Sequence, residues 1–150
     1  MDVTDITYVL LTQGFYKGDI SQHINDINKN LRPLFYEAVM LYDKSCCILK
    51  NNSNKFVCSE YSEEDNLEIK RVIEDVVLGK TTESYIIDSL IANKWLLKNE
   101  YGLSLSNRCL IQFEDYILDL EGRYKRCTLC KQLVEGRETH SFCENLLDSN

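Results

Sequence analysis

The sequence predicts an α+β protein with two tandem winged-helix domains followed by a short zinc-binding tail. Helical and strand-like patterns follow one another in the order helix, helix, hairpin, and this order occurs twice. The carboxyl-terminal segment then brings four soft metal ligands close together in sequence. These observations divide the chain into residues 1–60, 61–124 and 125–150.

The first domain, residues 1–60, is expected to begin with two short helices. Apolar residues with helical spacing occupy residues 5–11, and Gly14 is placed to end that helix. Asp19 or Ser21 can cap a second helix. Its apolar positions follow an i, i+3, i+7 spacing, at Ile24, Ile27, Leu31 and Leu34.

Short strands should follow these helices. Pro33, the single proline of the chain, predicts the end of the second helix or a kink in it. Strand-like runs occupy residues 35–42, 46–49 and 56–58, with turn-forming Asp, Asn and Ser residues between them. Two helices followed by small strands is the order of a winged-helix domain.

The second domain, residues 61–124, is expected to open with a well-marked helix. Ser62 and the carboxylates after it can cap this helix, and Gly79 can end it. Its apolar positions are Leu67, Ile69, Val72, Ile73, Val76 and Val77.

The rest of the second domain repeats the winged-helix order. A second helix is expected from Thr81 or Thr82 to Trp95, and residues 96–98 and 103–105 should form a β-hairpin, the wing. A closing helix should follow, capped by Ser106 or Asn107. Its inward apolar residues are Leu110, Phe113, Ile117, Leu118 and Leu120. We expect Trp95 to lie in the core, whereas Tyr8, Phe15, Tyr16 and Tyr36 should form an exposed aromatic face.

The charge of the chain restricts any role in binding nucleic acid. The net charge is −7, with 24 acidic against 17 basic side chains, whereas DNA-binding domains usually carry a basic surface. The best candidate for a DNA-recognition helix is Glu83 to Trp95. It is expected to expose Glu83 and Asp88, and it offers only Lys94 as a cation. The chain has one cluster of basic residues, which consists of Arg123, Lys125, Arg126 and Lys131. We therefore expect the winged helices to dock proteins, with DNA contact weak or indirect.

Four residues of the tail predict a zinc site. Cys127 and Cys130 form a C-x2-C pair, and His140 and Cys143 form an H-x2-C pair after a loop that contains Gly136. The residues between the pairs are mostly polar, and only Leu133 and Val134 there could serve a core. Zinc binding in such small modules supplies folding free energy on the order of 10 kcal/mol. One zinc ion is expected.

The remaining thiols do not indicate a disulfide framework. The chain has seven cysteines, an odd number, and Cys46 and Cys47 are adjacent. These two residues, with Cys58 and Cys109, are expected to be structural thiols of a reducing compartment. No apolar run approaches the roughly 20 residues that a membrane-spanning helix needs.

Several segments resemble the non-SMC element 1 family. They are residues 10–14, 23–28, 92–97, 101–105, Arg108, residues 116–117 and residues 127–136. The family is the winged-helix and RING-like subunit of the chromosome-maintenance complex built on the SMC 5 and SMC 6 ATPases. The resemblance covers most of the chain and is clearest from Ile86 to Gly136.

The resemblance implies a partner set and a location. Family members pair with a MAGE-type winged-helix protein and with the kleisin subunit, and they serve DNA repair and recombination in the nucleus, on chromosomes. Their RING-like domain binds two zinc ions through eight ligands and supports ubiquitin-ligase activity with a ubiquitin-conjugating enzyme.

The tail departs from that family pattern, since it holds four ligands only. His140 and Cys143 correspond either to the third and fourth RING ligands or to the fifth and sixth. Both assignments leave at most one zinc, so the surface that docks a conjugating enzyme should be incomplete. The expected function is a scaffold subunit without catalytic residues. A residual ubiquitin ligase and a DNA-binding winged-helix regulator are the alternatives.

Overall fold

The computed structural model describes residues 2–53, 58 and 60–148, which form helices and small antiparallel sheets. This confirms the α+β class. The chain divides into two compact units, a first unit of residues 1–54 and 141–150 and a second unit of residues 55–140. Within the described residues, none of the helices is long and apolar enough to cross a membrane.

Short helices and short strands alternate along the chain. In chain order they are α1 (Val3–Gln13), β1 (Phe15–Lys17), α2 (Ile24–Leu31), β2 (Tyr36–Met40), β3 (Cys46–Asn51), α3 (Glu63–Val77), α4 (Ile87–Ala92), β4 (Leu96–Asn99), β5 (Gly102–Leu105), α5 (Asn107–Gln112), α6 (Glu114–Asp119), β6 (Tyr124–Arg126), β7 (Leu133–Glu135) and α7 (Ser141–Asp148). A 3-10 turn, Arg32–Leu34, follows α2.

The first unit builds a three-stranded antiparallel sheet in the order β1-β3-β2 beside helices α1 and α2. Helix α1 begins where Asp2 Oδ1 accepts the Asp5 amide at 2.9 Å. It ends at Gly14, whose φ of 82° is a left-handed conformation that glycine adopts without steric cost. The apolar faces of these elements, together with Ile20 from the loop before α2, form a core of Ile6, Leu10, Ile20, Ile27, Leu31, Ala38 and Cys47.

A buried asparagine joins helix α2 to strand β2, which is an edge strand of the sheet. Asn28 Oδ1 accepts the amide of Ala38 at 2.7 Å, and Asn28 Nδ2 donates to the carbonyl of Ala38 at 3.2 Å. The side-chain amide thereby satisfies two backbone groups that an edge strand would otherwise leave without a strand partner.

The first unit differs from the sequence-based prediction in two elements. Strand β1 was not predicted, because a three-residue strand is defined by its pairing with β3 rather than by a local pattern. Neither predicted residue caps α2. Its N-cap is His23 without a side-chain hydrogen bond, and Asp19 instead accepts the amide of Ser21 in a turn.

Two further predictions for the first unit concern the exposed aromatic face and the third strand. Tyr16 and Tyr36 pack against the core of the first unit, whereas Tyr8 and Phe15 are exposed. The aromatic face is therefore wrong for two of its four residues. In the predicted strand at residues 56–58, positions 56 and 57 lie outside the described residues, and Cys58 is not in a strand.

The second unit begins with helix α3, whose bounds agree with the sequence signals. Ser62 Oγ accepts the amide of Asp65 at 3.1 Å, and Gly79 follows the helix with a φ of 74°. One core assignment was wrong, since Leu67 is 73% exposed and the neighbouring Asn66 is buried. Asn66 is buried because its side chain hydrogen-bonds to the backbone of the loop before the helix.

Two further helices of the second unit differ in extent from the prediction. Helix α4 covers Ile87–Ala92 only, so it neither starts at Thr81 or Thr82 nor reaches Trp95. The predicted closing helix is two short helices, α5 and α6, which meet at Phe113. Ser106 caps α5 as expected, because its Oγ atom accepts a hydrogen bond from the amide of Cys109 at 3.2 Å.

The core of the second unit includes part of the carboxyl-terminal hairpin. Buried side chains from its helices and from the hairpin β4–β5 pack together, and Trp95 is among them as predicted. Strands β6 and β7 pair antiparallel, and their residues Tyr124 and Leu133 belong to the same apolar cluster. Leu133 and Val134, the two residues of the tail expected to serve a core, are both buried.

Candidate metal centre

The four predicted zinc ligands come together in space. Sulfur atoms of Cys127, Cys130 and Cys143 and a ring nitrogen of His140 all lie within 4.8 Å of one another. Neighbouring ligand atoms around a tetrahedral zinc lie about 3.8 Å apart when Zn–S bonds are about 2.3 Å long. The cluster is thus close to the size that one ion requires.

A tight turn after β6 presents the first two ligands. The amide of Lys131 donates to the carbonyl of Cys127 at 2.9 Å, and the amide of Cys127 donates to the carbonyl of Gln132 at 2.8 Å. Lys131 has a positive φ of 72°, which lets the chain turn back directly after Cys130. The two-residue spacer in the sequence is what permits this turn.

Strand β7 orients the imidazole of His140. The Nε2 atom lies 2.9 Å from the carbonyl oxygen of Leu133, which can only accept, so Nε2 carries the proton. Nδ1 is then the nitrogen with a free lone pair, and it lies 3.4 Å from the sulfur of Cys130. Such a second hydrogen bond is how proteins fix the tautomer and ring orientation of a metal-binding histidine.

The thiol of Cys127 differs electrostatically from the other buried thiols. Burial acts to raise its pKa, but hydrogen bonds from the amides of Cys130, His140 and Leu129 are among the causes that outweigh burial and lower the pKa to about 6. The thiolate is the form of cysteine that binds metals. The local backbone therefore favours the protonation state that a zinc ligand needs.

Thiols outside the cluster have the opposite character. Burial raises the pKa of Cys47 and of Cys58 to about 12, and burial raises that of Cys109 well above its ordinary value. Cys46 is half-buried, and desolvation raises its pKa as well. These four cysteines are free thiols that favour the protonated form.

The donor set fits a zinc ion on the observed geometry. Three thiols and one imidazole suit Zn²⁺, which prefers tetrahedral sulfur and nitrogen ligands, better than they suit magnesium or calcium. The sequence identified the four candidate ligands, but it gave no sign of the carbonyl of Leu133 that orients His140. No spacing pattern identifies that acceptor, because its role arises from the pairing of β6 with β7.

The basic group beside this cluster is paired within the protein. Arg123, Lys125 and Arg126 contact Glu135, Glu138 and Glu114 respectively, and the Lys125–Glu138 distance is 3.4 Å. The ammonium group of Lys131 donates to the carbonyl of Thr128 at 2.9 Å. Carboxylates and carbonyls thus occupy these cations, which weakens the case for a phosphate-binding patch.

A second cluster joins Trp95 and Arg108, which both lie in the segments that resemble the family. The guanidinium carbon of Arg108 lies 3.9 Å from the ring centroid of Trp95, and the indole Nε1 donates to Glu60 at 2.7 Å. Arg108 also donates to the carbonyl of Asn93 at 2.8 Å. These contacts fix the start of the hairpin β4–β5, so their role is structural.

Comparisons with known proteins place this α+β chain in a fold class. No family model matches the sequence, and no curated protein matches it either. A chain of the solved structure titled "Nse1-Nse3-Nse4 complex" does match, with a TM-score of 0.70 and 16% sequence identity, over 100% of this chain and 93% of that one. At this identity the likeness shows the fold alone. The resemblance to non-SMC element 1 is therefore confirmed as an Nse1-like fold.

Proposed function

We propose that this chain is a scaffold subunit of an SMC 5/SMC 6-type chromosome-maintenance complex, where it docks a MAGE-type winged-helix partner and the kleisin. The observation that carries the proposal is the full-length fold match to a chain of the Nse1-Nse3-Nse4 complex. The resembling sequence segments support it independently, because they are spread along the chain. The proposal implies a nuclear, chromosome-associated protein that acts in DNA repair.

The element order supports two winged-helix domains, at residues 1–60 and 61–124, before a reduced RING-like tail at residues 125–150. The first unit has helices α1 and α2 followed by the hairpin β2–β3, and β1 adds a third strand. The second unit has α3 and α4 followed by the hairpin β4–β5. Winged-helix domains dock proteins as well as nucleic acids, so the proposed role needs no DNA-reading helix.

Exposed apolar side chains of the first unit are candidates for the docking surface. Tyr8 on α1 is 68% exposed, and Phe35, directly before β2, is 71% exposed. Phe35 also has a φ of 63°, an uncommon conformation for an aromatic residue. Exposed aromatic residues are enriched at protein interfaces. We therefore assign Tyr8 and Phe35 to partner binding.

Co-purification with the MAGE-type subunit from the same organism tests the scaffold role. A stable one-to-one complex is expected for the unmodified chain. Tyr8→Ala combined with Phe35→Asn should weaken it by tenfold or more, about the effect of removing a hot-spot aromatic. Asn tolerates the left-handed conformation at position 35, so the backbone should be preserved.

Leu67→Ala is the matched control, because it removes an equally exposed apolar side chain from α3 in the second unit. Unchanged binding by this variant is expected. A folded chain that fails to bind the MAGE-type subunit would reject the scaffold proposal and leave only the shared fold.

The same proposal includes one structural zinc ion, held by Cys127, Cys130, Cys143 and Nδ1 of His140. Bound zinc would cross-link the turn after β6 to the start of α7 and thereby order the segment between them. Elemental analysis should find one zinc per chain, and Cys127→Ser should remove it. Cys46→Ser is the control, since Cys46 is not part of the cluster. Zinc retained by Cys127→Ser would contradict this ligand set.

A residual ubiquitin ligase is the second candidate, and the ligand cluster is what favours it. A RING-like domain supplies no nucleophile, because it acts by orienting a ubiquitin-loaded conjugating enzyme. The test is discharge of ubiquitin from a loaded conjugating enzyme. Acceleration by the chain, lost in Cys127→Ser and kept in Cys46→Ser, would support ligase activity, whereas equal rates with and without the chain would exclude it.

The DNA-binding alternative predicts an affinity that falls steeply with salt. The paired cations at Arg123 and Lys125 argue against it. If duplex DNA binds, Lys125→Ala should weaken binding and reduce its salt dependence. Absence of binding at low salt would remove this alternative.

A further inference from the structure

A pocket in the second unit combines cations and hydroxyl groups without a carboxylate in its wall. Its volume is about 350 Å³, and it lies between the segment after α3, the tip of the hairpin β4–β5 and Arg123. The polar groups that matter here are the ammonium group of Lys80, the hydroxyl group of Thr82 and the guanidinium group of Arg123. Val76 and Leu103 supply apolar wall.

The guanidinium group of Arg123 is held in place before any ligand arrives. Its Nη2 atom donates to the carbonyl of Leu103 at 2.8 Å, and Nη1 lies 3.3 Å from Glu135. Its Nε atom and Thr82 Oγ1 are buried and have no hydrogen-bond partner within the described part of the chain. Buried donors of this kind usually have an acceptor, which can be a ligand or a water molecule.

Lys80 adds a charge that the protein does not neutralise. No carboxylate among the described residues lies within ion-pair distance of its Nζ atom, and the side chain is exposed. Arg123 shares its charge with Glu135, so Lys80 makes the larger contribution to the attraction of an anion. Within the pocket wall, Lys80 and the buried donors of Arg123 and Thr82 thus favour a negatively charged, acceptor-rich group.

We infer that this pocket binds an acidic side chain presented by a peptide segment of a partner protein. The volume suits one side chain with part of its neighbours rather than a nucleic-acid strand. Exposed carboxylates at Glu83 and Glu100 adjoin lining residues in sequence and would repel an extended polyanion that reaches beyond the pocket. The ring of Tyr101, 96% exposed at the mouth, together with the apolar wall, favours apolar residues beside the acidic one.

The inference does not depend on the proposed scaffold function, because it is tested with a short peptide and the isolated chain. The probe is acetyl-Gly-Leu-Glu-Leu-Gly-amide, titrated into the zinc-loaded, ¹⁵N-labelled full chain. The amide resonances of Gly79, Thr82 and Gly102 should shift. A peptide with Gln in place of Glu should bind at least threefold more weakly, since it lacks the charge.

Two variants connect the binding to the pocket. Lys80→Gln should weaken binding of the Glu peptide about threefold and leave the Gln peptide unaffected. Thr82→Val keeps the side-chain shape but removes the hydroxyl group, and it should also weaken the Glu peptide. Lys98→Gln is the control, because Lys98 is an exposed lysine of the same unit that does not line the pocket. Raising NaCl to 0.5 M should reduce the difference between the two peptides.

Each remaining outcome overturns the inference. Equal affinity of the Glu and Gln peptides would show that the anion is not recognised. Inorganic phosphate that shifts the same amides while the Glu peptide does not would identify a site for a free oxyanion. A short DNA duplex that shifts them more strongly than the peptide would identify a nucleic-acid contact, and no shift with any probe would leave a pocket without a ligand of this class.

Discussion

The two units of the chain bury cores of different size and composition. Among the described residues, the cluster in the first unit contains seven buried side chains, all aliphatic apart from Cys47. The cluster in the second unit contains seventeen, including Trp95, Phe113 and Tyr124. Burial contributes roughly 1.5–3 kcal/mol for each large apolar side chain. The difference teaches that the second unit gains more stabilisation from apolar burial, whereas the core of the first unit depends on fewer residues.

Truncating one leucine in each core should give the largest effect and test this comparison directly. Leu10→Ala and Leu90→Ala both remove a fully buried side chain, which costs about 3–5 kcal/mol. In the first unit this loss should expose the amides of α1 and α2 to hydrogen exchange. In the second unit it should lower the melting temperature, while the amides of α3 keep measurable protection.

Hydrogen exchange followed by mass spectrometry distinguishes these outcomes, with Leu146→Ala as a control that removes an exposed leucine. Equal loss of protection in both units after Leu10→Ala would contradict the comparison, because the first unit could not then open separately.

A close backbone contact in the second unit gives the next largest effect. A Cβ atom on Gly122 would lie 2.3 Å from the carbonyl oxygen of Val77 and 2.6 Å from its Cγ1 atom. Gly122→Ala should therefore force the end of α3 away from β6 and cost about 3 kcal/mol. Urea denaturation measures the change.

Gly79→Ala separates a steric clash from backbone strain. The φ of Gly79 is 74°, but nothing lies within 4 Å of the position of an added Cβ atom. Its cost should be about 1 kcal/mol, the penalty of the left-handed conformation alone. Equal destabilisation by the two substitutions would show that the contact with Val77 is not what requires glycine at position 122.

Local signals allowed the sequence to predict part of this structure. Ser62 and Gly79 mark the ends of α3 because caps act within a few residues. Strand β1 was missed because its pairing with β3 spans about thirty residues of sequence, from Phe15 to Ile48. Leu67 was wrongly assigned to the core, since a hydrophobic pattern does not reveal that Asn66 beside it has backbone partners.

For the candidate metal site, the sequence predicted the residues but not the geometry that orients them. Residue type and spacing identified Cys127, Cys130, His140 and Cys143 as candidate ligands, and the fold brings them together. The carbonyl that orients His140 depends on the pairing of two strands, which no motif encodes. The types of the candidate ligands could therefore be read from the sequence, whereas the hydrogen bond that orients His140 could be found only from the folded structure.

The two buried asparagines provide a third comparison of the units. Asn66 in the second unit bonds to both backbone groups of Cys58 and to the carbonyls of Tyr61 and Ser62. Among the described residues, the side chain of Asn28 in the first unit bonds to the two backbone groups of Ala38 alone. Asn28→Asp should cost about 2 kcal/mol and Asn66→Asp more, because a carboxylate keeps the acceptor but repels the carbonyls. Thermal denaturation at pH 7 measures both.

Asn93→Asp serves as the control, because Asn93 is exposed and its side-chain amide donates to the hydroxyl group of Tyr61 rather than to a backbone group. Its effect should remain within about 0.5–1 kcal/mol. If Asn28→Asp were the more harmful of the two buried substitutions, the number of backbone partners would not determine the cost.

The smallest effect concerns Tyr124, which joins the tail hairpin to the core of the second unit. Its hydroxyl group accepts the amide of Leu105 at 2.9 Å, and burial raises its pKa from 10.0 to about 12. The unfolded chain therefore loses this proton at a lower pH than the folded chain. The stabilisation by Tyr124 is thus complete below pH 10 and is lost as the pH rises to 12.

Tyr124→Phe should lower the free energy of unfolding by about 1 kcal/mol at pH 7 and by less at pH 11. Burial also raises the pKa of Tyr116, Cys47 and Cys58 to about 12, so both proteins should lose stability at high pH, and the test is the difference between them. Urea denaturation at both pH values measures the difference, and an equal cost at pH 7 and pH 11 would mean that the Tyr124 hydroxyl group is not protected from ionisation by the core.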